Sequence, residues 1–199
     1  MKQAAAVQPS FEIRRVALIG AGVAGRSFAL ACAVAGFHVV LEDVMPANLR
    51  KAEADFAECA GLSLRGTAGR LELALTVEDA VREADVAVDF VPDELESKLE
   101  IFSMIDRMAP PKTILCTPSY ALSITDLASC VYRPERCVAV RGNLIRGDEA
   151  VPPVVRLLYP AAAAESTLTA VDRFLQALGV EVRRETDPEV PSLMKNAVI

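Results

Sequence analysis

Apolar runs and amphipathic stretches alternate along most of this chain. The run RRVALIG (14–20) ends on glycine and predicts a strand, and the alanine-rich stretch 23–36, closed by Gly36, predicts a helix. FHVVLED (37–43) predicts the next strand. Over 45–62, Leu49, Ala52, Phe56 and Ala60 recur at helical spacing behind Pro46, a residue suited to a helix start. GRLELALT (69–76), with Leu71, Leu73 and Leu75 alternating, predicts a third strand. Thr76 with Asp79 three residues on reads as a capping box for a short helix over 76–84. DVAVDFVP (85–92) is a strand stopped by proline. The stretch 93–109 is an amphipathic helix whose inward positions are Leu95, Leu99, Phe102, Ile105 and Met108. KTILCTP (112–118) and RCVAVRG (136–142) are strands around a short helix capped by Ser123 and Asp126. Beyond residue 150 the pattern gives a strand over 152–160, a helix over 161–179 ending on Gly179, and a strand over 180–187.

Strand and helix alternating in this way form crossover units and a parallel sheet, and continuous Val/Ile/Leu runs suit strands covered on both faces. The predicted fold is α/β, a doubly wound Rossmann-type, mostly parallel sheet with helices on both faces, its last two strands extending the far half. Residues 1–12 are expected to form a loose tail, 13–187 one domain, and 188–199 a terminal helix or the start of another domain.

Composition narrows the functions. The 199 residues are 52% hydrophobic, without tryptophan, and carry a formal charge of −6. No basic stripe with interleaved aromatics is present, which argues against a nucleic-acid partner. The pairs Arg14–Arg15 and Arg183–Arg184 read as solvated faces. Five cysteines, an odd number with no CxxC pair, predict reduced thiols in a cytoplasmic protein rather than a disulfide framework or a metal site. Cys116, at a strand end, is the thiol to inspect for reactivity. No apolar stretch is long enough to span a bilayer.

The chemistry begins at IGAGVAG. Gly20, Gly22 and Gly25 stand in GxGxxG spacing between a strand and a helix. The first glycine permits a tight turn, the second lets a pyrophosphate approach the backbone, and the third lets helix pack on strand. Bare amides at the helix start face the anion. Glu42 and Asp43 end the next strand, with Asp43 as its last residue. Its carboxylate can accept from both ribose hydroxyls and repels a 2′-phosphate, so NAD(H) is favoured over NADP(H).

With these motifs in place, the chain resembles the NAD-binding domain of the 3-hydroxyacyl-CoA dehydrogenase family over roughly residues 13 to 199. The resemblance is carried by the glycine loop, by EADVAVDFVPDELESKLEIF, APPKTILCTPSYALSITDLA and RPERCVAVRGNL, and by DPEVPSLMKNAV, which is similar to the passage leading into the family's helical second domain. It implies NAD-dependent oxidation of the 3-hydroxyl of an acyl-CoA. In the family a histidine takes the hydroxyl proton, a glutamate orients that histidine, and serine and asparagine hold the substrate oxygen. The implied cofactor contacts are Gly20, Gly22, Val23, Ala24, Gly25 and Asp43, then Val91, Pro92, Asp93, Lys98 and Pro118.

The implied catalytic positions are mostly altered. The histidine position holds Arg141, the glutamate position Arg156 and the serine position Tyr120, whereas Asn196 matches the asparagine. A guanidinium cannot act as a base at working pH. His38, the sole histidine, starts the second strand, away from any nicotinamide, and reads as structural. The two arginines with Tyr120 could bind an anion such as a carboxylate, or could be unrelated surface residues. Tyr120 and Lys195 are alternative proton carriers. Two functions stay open: an oxidoreductase acting on a hydroxyacyl-CoA or related hydroxy acid, and an NAD-binding sensor, regulator or subunit without turnover. Self-association is compatible with either.

Overall fold

The computed structural model describes residues 11–63, 69–145 and 151–187, with the backbone alone for 59–63. Eight strands, β1 (Arg15–Ile19), β2 (His38–Glu42), β3 (Arg70–Ala74), β4 (Val86–Asp89), β5 (Ile114–Pro118), β6 (Cys137–Arg141), β7 (Val154–Tyr159) and β8 (Glu181–Thr186), alternate with six helices. The helices are α1 (Val23–Val34), α2 (Pro46–Ser63), α3 (Val77–Val81), α4 (Leu95–Met108), α5 (Ile124–Ala128) and α6 (Glu165–Ala177). The strand order is β3-β2-β1-β4-β5-β6-β7-β8. Neighbours are parallel from β3 through β6; β7 runs antiparallel to β6, and β8 parallel to β7. The order reverses between β1 and β4, so a crevice opens there at the carboxyl ends of the strands.

Period-two alternation sends successive residues of each strand into two cores. Val16, Leu18, Val39 and Leu41 pack against Phe28 of α1, Leu49 of α2 and Phe174 of α6. Ala17, Ile19, Ala87 and Leu115 pack against Val77 of α3, Phe102 and Ile105 of α4 and Ile124 of α5. The first core carries an aromatic chain, with Phe28 5.4 Å from Phe90 and edge-on to Phe174 at 6.2 Å, and Phe37 5.0 Å from Phe174.

Local signals decide where the elements begin. Thr76 Oγ1 accepts from the Asp79 amide at 3.2 Å, and Ser123 Oγ accepts from the Asp126 amide at 3.3 Å, as the two capping boxes predict. The helix expected over 161–179 starts only at Glu165, because the chain first turns at Pro160, whose carbonyl accepts from the Ala163 amide. Two hydrophobic assignments change. Met108 of α4 is 41% exposed, and Lys98, Ile101 and Asp106 take inward places instead. On β3 the leucine alternation does not mark a core face: Leu73 and Leu75 are exposed, because β3 is a sheet edge and Ala74 is its buried residue.

Buried acids staple the sheet's other end. Asp85 accepts from the Arg14 and Arg15 amides at 2.9 Å each and from Lys112 Nζ. Arg133 reaches Asp106 Oδ1 at 2.6 Å and the carbonyls of Ala109 and Pro110, fixing the end of α4. Cys32, Cys116, Cys130 and Cys137 are free thiols. Burial, then Asp89, pushes the Cys116 thiol up to about 12, which disfavours its thiolate. Among the described residues no helix is long and apolar enough to cross a membrane.

Phe102 is fully buried in the second core. Phe102→Ala should lower unfolding stability by about 3–5 kcal/mol, read as a drop in the urea midpoint at unchanged slope.

Candidate functional site

Three glycines at the β1–α1 turn have three different physical reasons. Gly20 has φ +103°, a left-handed conformation, and its amide donates to the Glu42 carbonyl at 2.9 Å. At Gly25 an added Cβ would stand 1.9 Å from the Gly20 carbonyl oxygen, so no other residue lets α1 pack this closely. At Gly22 neither reason applies: φ is −63° and an added Cβ would meet nothing within 4 Å. The space that Gly22 leaves is open. It lies at the start of α1, where no side chain caps the helix and its first turn carries no acid. Uncapped amides with the positive end of the helix dipole suit a diphosphate. Arg26, one turn on, donates to the Ala21 carbonyl at 3.1 Å and to Asp55 at 2.9 Å, holding a cation beside the turn.

Asp43 is the first residue past β2 rather than its last, and is nearly buried. Its Oδ2 accepts from the Ala21 amide at 2.8 Å and from Asn48 Nδ2 at 3.1 Å; its Oδ1 accepts from the Met45 amide at 2.8 Å. A carboxylate has about four acceptor positions, so one is left on Oδ1. Glu42 points to the other face of β2. It is 3% exposed, and burial, then the Asp43 charge, pushes its carboxyl up to about 7.

Along the sheet, the turn after β5 is held from three sides. Asp93, in the loop after β4, accepts from Ser119 Oγ at 2.6 Å and from the amides of Tyr120 and Ala121 at 3.0 and 3.4 Å. Burial would raise this carboxyl, but the Ser119 bond, the two amides and nearby Lys98 hold it below its ordinary value. Arg141 donates from Nε to the Ser119 carbonyl at 3.0 Å and from Nη2 to the Leu122 carbonyl at 2.9 Å. Asp187 accepts from Ser123 Oγ at 2.5 Å and from the Thr125 amide at 3.0 Å. Tyr120 Oη donates to the Gly142 carbonyl at 3.2 Å, joining the loops after β5 and β6.

Between these loops and the glycine turn lies a cleft of about 420 Å³. One wall is Ala24, Phe28, Phe90 and Val91; the other is Pro118, Tyr120 and the segment Gly142–Ile145, including Asn143. A larger groove of about 510 Å³ lies by α3, between Arg15, Glu72 and Glu83, and shares no residue with the cleft. The cleft sits at the strand-order reversal and touches α1, and that chemistry outweighs size.

Lys98 does not line the cleft. It is 1% exposed, with Nζ 2.5 Å from Asp89 Oδ1. Burial raises the Asp89 carboxyl more than Lys98 lowers it. Thr117, also buried, hydrogen-bonds the Asp89 carboxyl and lowers it further, though less than burial raises it. Pro92 is exposed in the loop after β4 and Val23 is exposed at the start of α1. Arg141 and Arg156 are register partners across β6 and β7, but Arg156 is spent on Glu185 through Nε and Nη2 at 2.7 and 2.6 Å. Neither guanidinium lines the cleft, which leaves Tyr120 without them as an anion receptor there. His38 sits at the amino end of β2, its Nε2 3.0 Å from Glu72 Oε1, far from the carboxyl ends that build the site. Asn196, Lys195 and the segment 188–199 lie outside the described residues.

Comparison with known proteins now decides the family. Residues 15–141 match the family model described as 3-hydroxyacyl-CoA dehydrogenase, NAD binding domain. The chain belongs to the 3-hydroxyacyl-CoA dehydrogenase family. Its cofactor is NAD. A probable 3-hydroxybutyryl-CoA dehydrogenase of Bacillus subtilis is 27% identical over 94% of this chain and 67% of its own length. An L-carnitine dehydrogenase of Burkholderia mallei is 29% identical over 94% of this chain and 59% of its own. Among solved structures, (S)-3-hydroxybutyryl-CoA dehydrogenase from Ralstonia eutropha superposes with a TM-score of 0.76 at 24% identity, over 89% of this chain and 65% of that one, a likeness of fold. The chain thus spans about three-fifths to two-thirds of the length of these relatives.

Set in this family, several site residues had little sequence signal. Phe28 and Phe90 fall inside the predicted helix 23–36 and strand 85–92, where neither is singled out. Asn143 stood in a quoted passage without a role. Asn48 and Ser119 act through contacts that only the folded turns create.

Gly22→Ala should change the melting behaviour of the cofactor-free chain by less than about 1 kcal/mol yet weaken NADH binding about tenfold or more, while Gly25→Ala should fail to fold stably. Calorimetric melts and NADH fluorescence titrations read both. For Glu42, the folded-state value near 7 exceeds the ordinary 4.5, so the folded state binds the extra proton between them and stability falls as pH rises through that window. Glu42→Gln should therefore stabilise the chain by about 2–3 kcal/mol at pH 8, a gain that vanishes below about pH 5, measured by urea unfolding at the two pH values.

Proposed function

We propose that the chain holds NAD(H) across the crevice between β1, β2 and β4. The amides at the start of α1 take the diphosphate and Asp43 takes one adenosine ribose hydroxyl. The cleft between Phe90 and Tyr120 takes the nicotinamide end. The observation that carries this reading is Gly22, a glycine that neither backbone strain nor packing requires, beside uncapped helix amides. Bound there, NAD supplies hydride chemistry. The residues of this chain supply position: Asp93 and Arg141 fix the turn that faces the cofactor, and the apolar cleft wall limits water.

For the whole reaction we propose oxidation or reduction at carbon 3 of an acyl-CoA or related hydroxy acid, since relatives bear the names 3-hydroxybutyryl-CoA dehydrogenase and L-carnitine dehydrogenase. We further propose that 13–187 is one domain, that 188–199 opens the next, and that the free thiols belong to a reducing cytoplasm. Cofactor binding without turnover is the second reading. It is favoured by Arg141, which stands at the base position with its guanidinium locked onto two carbonyls.

NADH should bind by fluorescence titration more tightly than NADPH, and Asp43→Asn should weaken NADH by about tenfold or more, because the carboxylate both meets ribose and anchors the Ala21 amide. Equal affinity of wild type and Asp43→Asn would remove Asp43 from the site.

A further inference from the structure

The family's proton-transfer pair is gone, yet the cleft is not without a proton. Tyr120 is the one ionisable side chain, among the described residues, on the cleft wall, whose other polar side chain is Asn143. Its backbone is fixed with unusual care for a surface turn: the Tyr120 amide is on Asp93, and the carbonyls on either side, at Ser119 and Leu122, are on Arg141. Its ring is 71% exposed, and its hydroxyl makes a single long bond of 3.2 Å to the Gly142 carbonyl. Such a bond is exchanged for a substrate oxygen at little cost. Among the described residues, the remaining cationic candidates are committed elsewhere. Lys98 is buried on Asp89, Arg141 on two carbonyls and Arg156 on Glu185.

We propose that Tyr120 is the catalytic proton carrier of this chain, with Arg141 as the positioning residue that holds its turn. This rests on the cofactor reading above and deepens it. In the direction of reduction, bound NADH would supply a hydride, with its electron pair, to the carbonyl carbon of a 3-oxoacyl thioester, leaving NAD+. The carbonyl π bond breaks toward oxygen, and that oxygen takes the proton of Tyr120 Oη. Water returns a proton to the phenolate, which the open side of the ring admits. Oxidation of the 3-hydroxyl runs the same steps backward. Placing a phenol at a serine position thus moves the proton source from β6 to the turn after β5, where Asn143, on the same cleft wall with its Oδ1 accepting from the Ile145 amide at 3.1 Å, adds an amide group that can donate to the substrate oxygen.

The test uses the 199-residue chain, NADH and acetoacetyl-CoA. Wild type should bind NADH and oxidise it in a single turnover. Tyr120→Phe, which removes one oxygen, should bind NADH within about twofold of wild type but lose about 100-fold or more in the turnover rate. Arg141→Lys should keep more of the rate than Arg141→Ala, since lysine can still donate to one carbonyl; equal loss removes the positioning role. A Tyr120→Phe rate near wild type overturns the proposal, and so does a wild type that binds NADH but leaves acetoacetyl-CoA unreduced. Absence of NADH binding by wild type instead overturns the cofactor reading beneath it.

Discussion

One close approach organises the molecule. The Gly25 Cα lies so near the Gly20 carbonyl that not even a methyl group fits between them, and this brings α1 down onto β1. A helix lowered this far presents its first amides directly over the strand end. The same approach brings the Ala21 amide to Asp43, so the tip of β2 is tied to the turn after β1 by a charged hydrogen bond. Sheet order, helix placement and the direction of the free amides are then one geometry. The cofactor region is prepared by backbone, with few side chains of its own to order.

The far half of the site is built differently, by charge. Asp93, Arg141 and Asp187 reach into the segment 119–125 from the ends of three different strands and satisfy its donors and acceptors one by one. Arg141, set against main-chain carbonyls, is thereby accounted for. It contributes five donors in a rigid fork, two of which find carbonyls, and it neutralises polar backbone that would otherwise face an apolar cleft. Beneath lies the Lys98–Asp89 pair. Such a pair is costly to bury, and it joins the first turn of α4 to the end of β4, which sets the course of residues 90–94 along the cleft.

The fold was legible because it depends on local periodicity. The glycine spacing, the two capping boxes and the Val/Ile runs each act within a few residues of chain, and each reappears in the structure where the pattern put it. What the pattern could not carry was pairing between distant segments. Lys98 enters the sequence reading as a cofactor contact implied by the resemblance, and its burial on Asp89 is visible only in the fold. Met108 and Leu75 read as core because hydrophobicity was taken as burial, while helix end and sheet edge left them uncovered. The Ala21, Met45 and Asn48 donors on Asp43 are supplied by turns whose geometry no spacing rule encodes. Arg141 stands out only against the resemblance, and its partners are main-chain carbonyls, which a sequence does not distinguish.

Among the described residues the sheet ends at β3 on one side and β8 on the other, and both rims are dressed alike. Arg70 and Glu72 stand on β3, and Glu181, Arg183, Arg184 and Glu185 on β8, with opposite signs close together. These exposed pairs add little to folding free energy. Their value is against polymerisation. A stray strand that tried to zip onto either rim would have to strip water from alternating ions without offering them matching partners, so the sheet terminates itself.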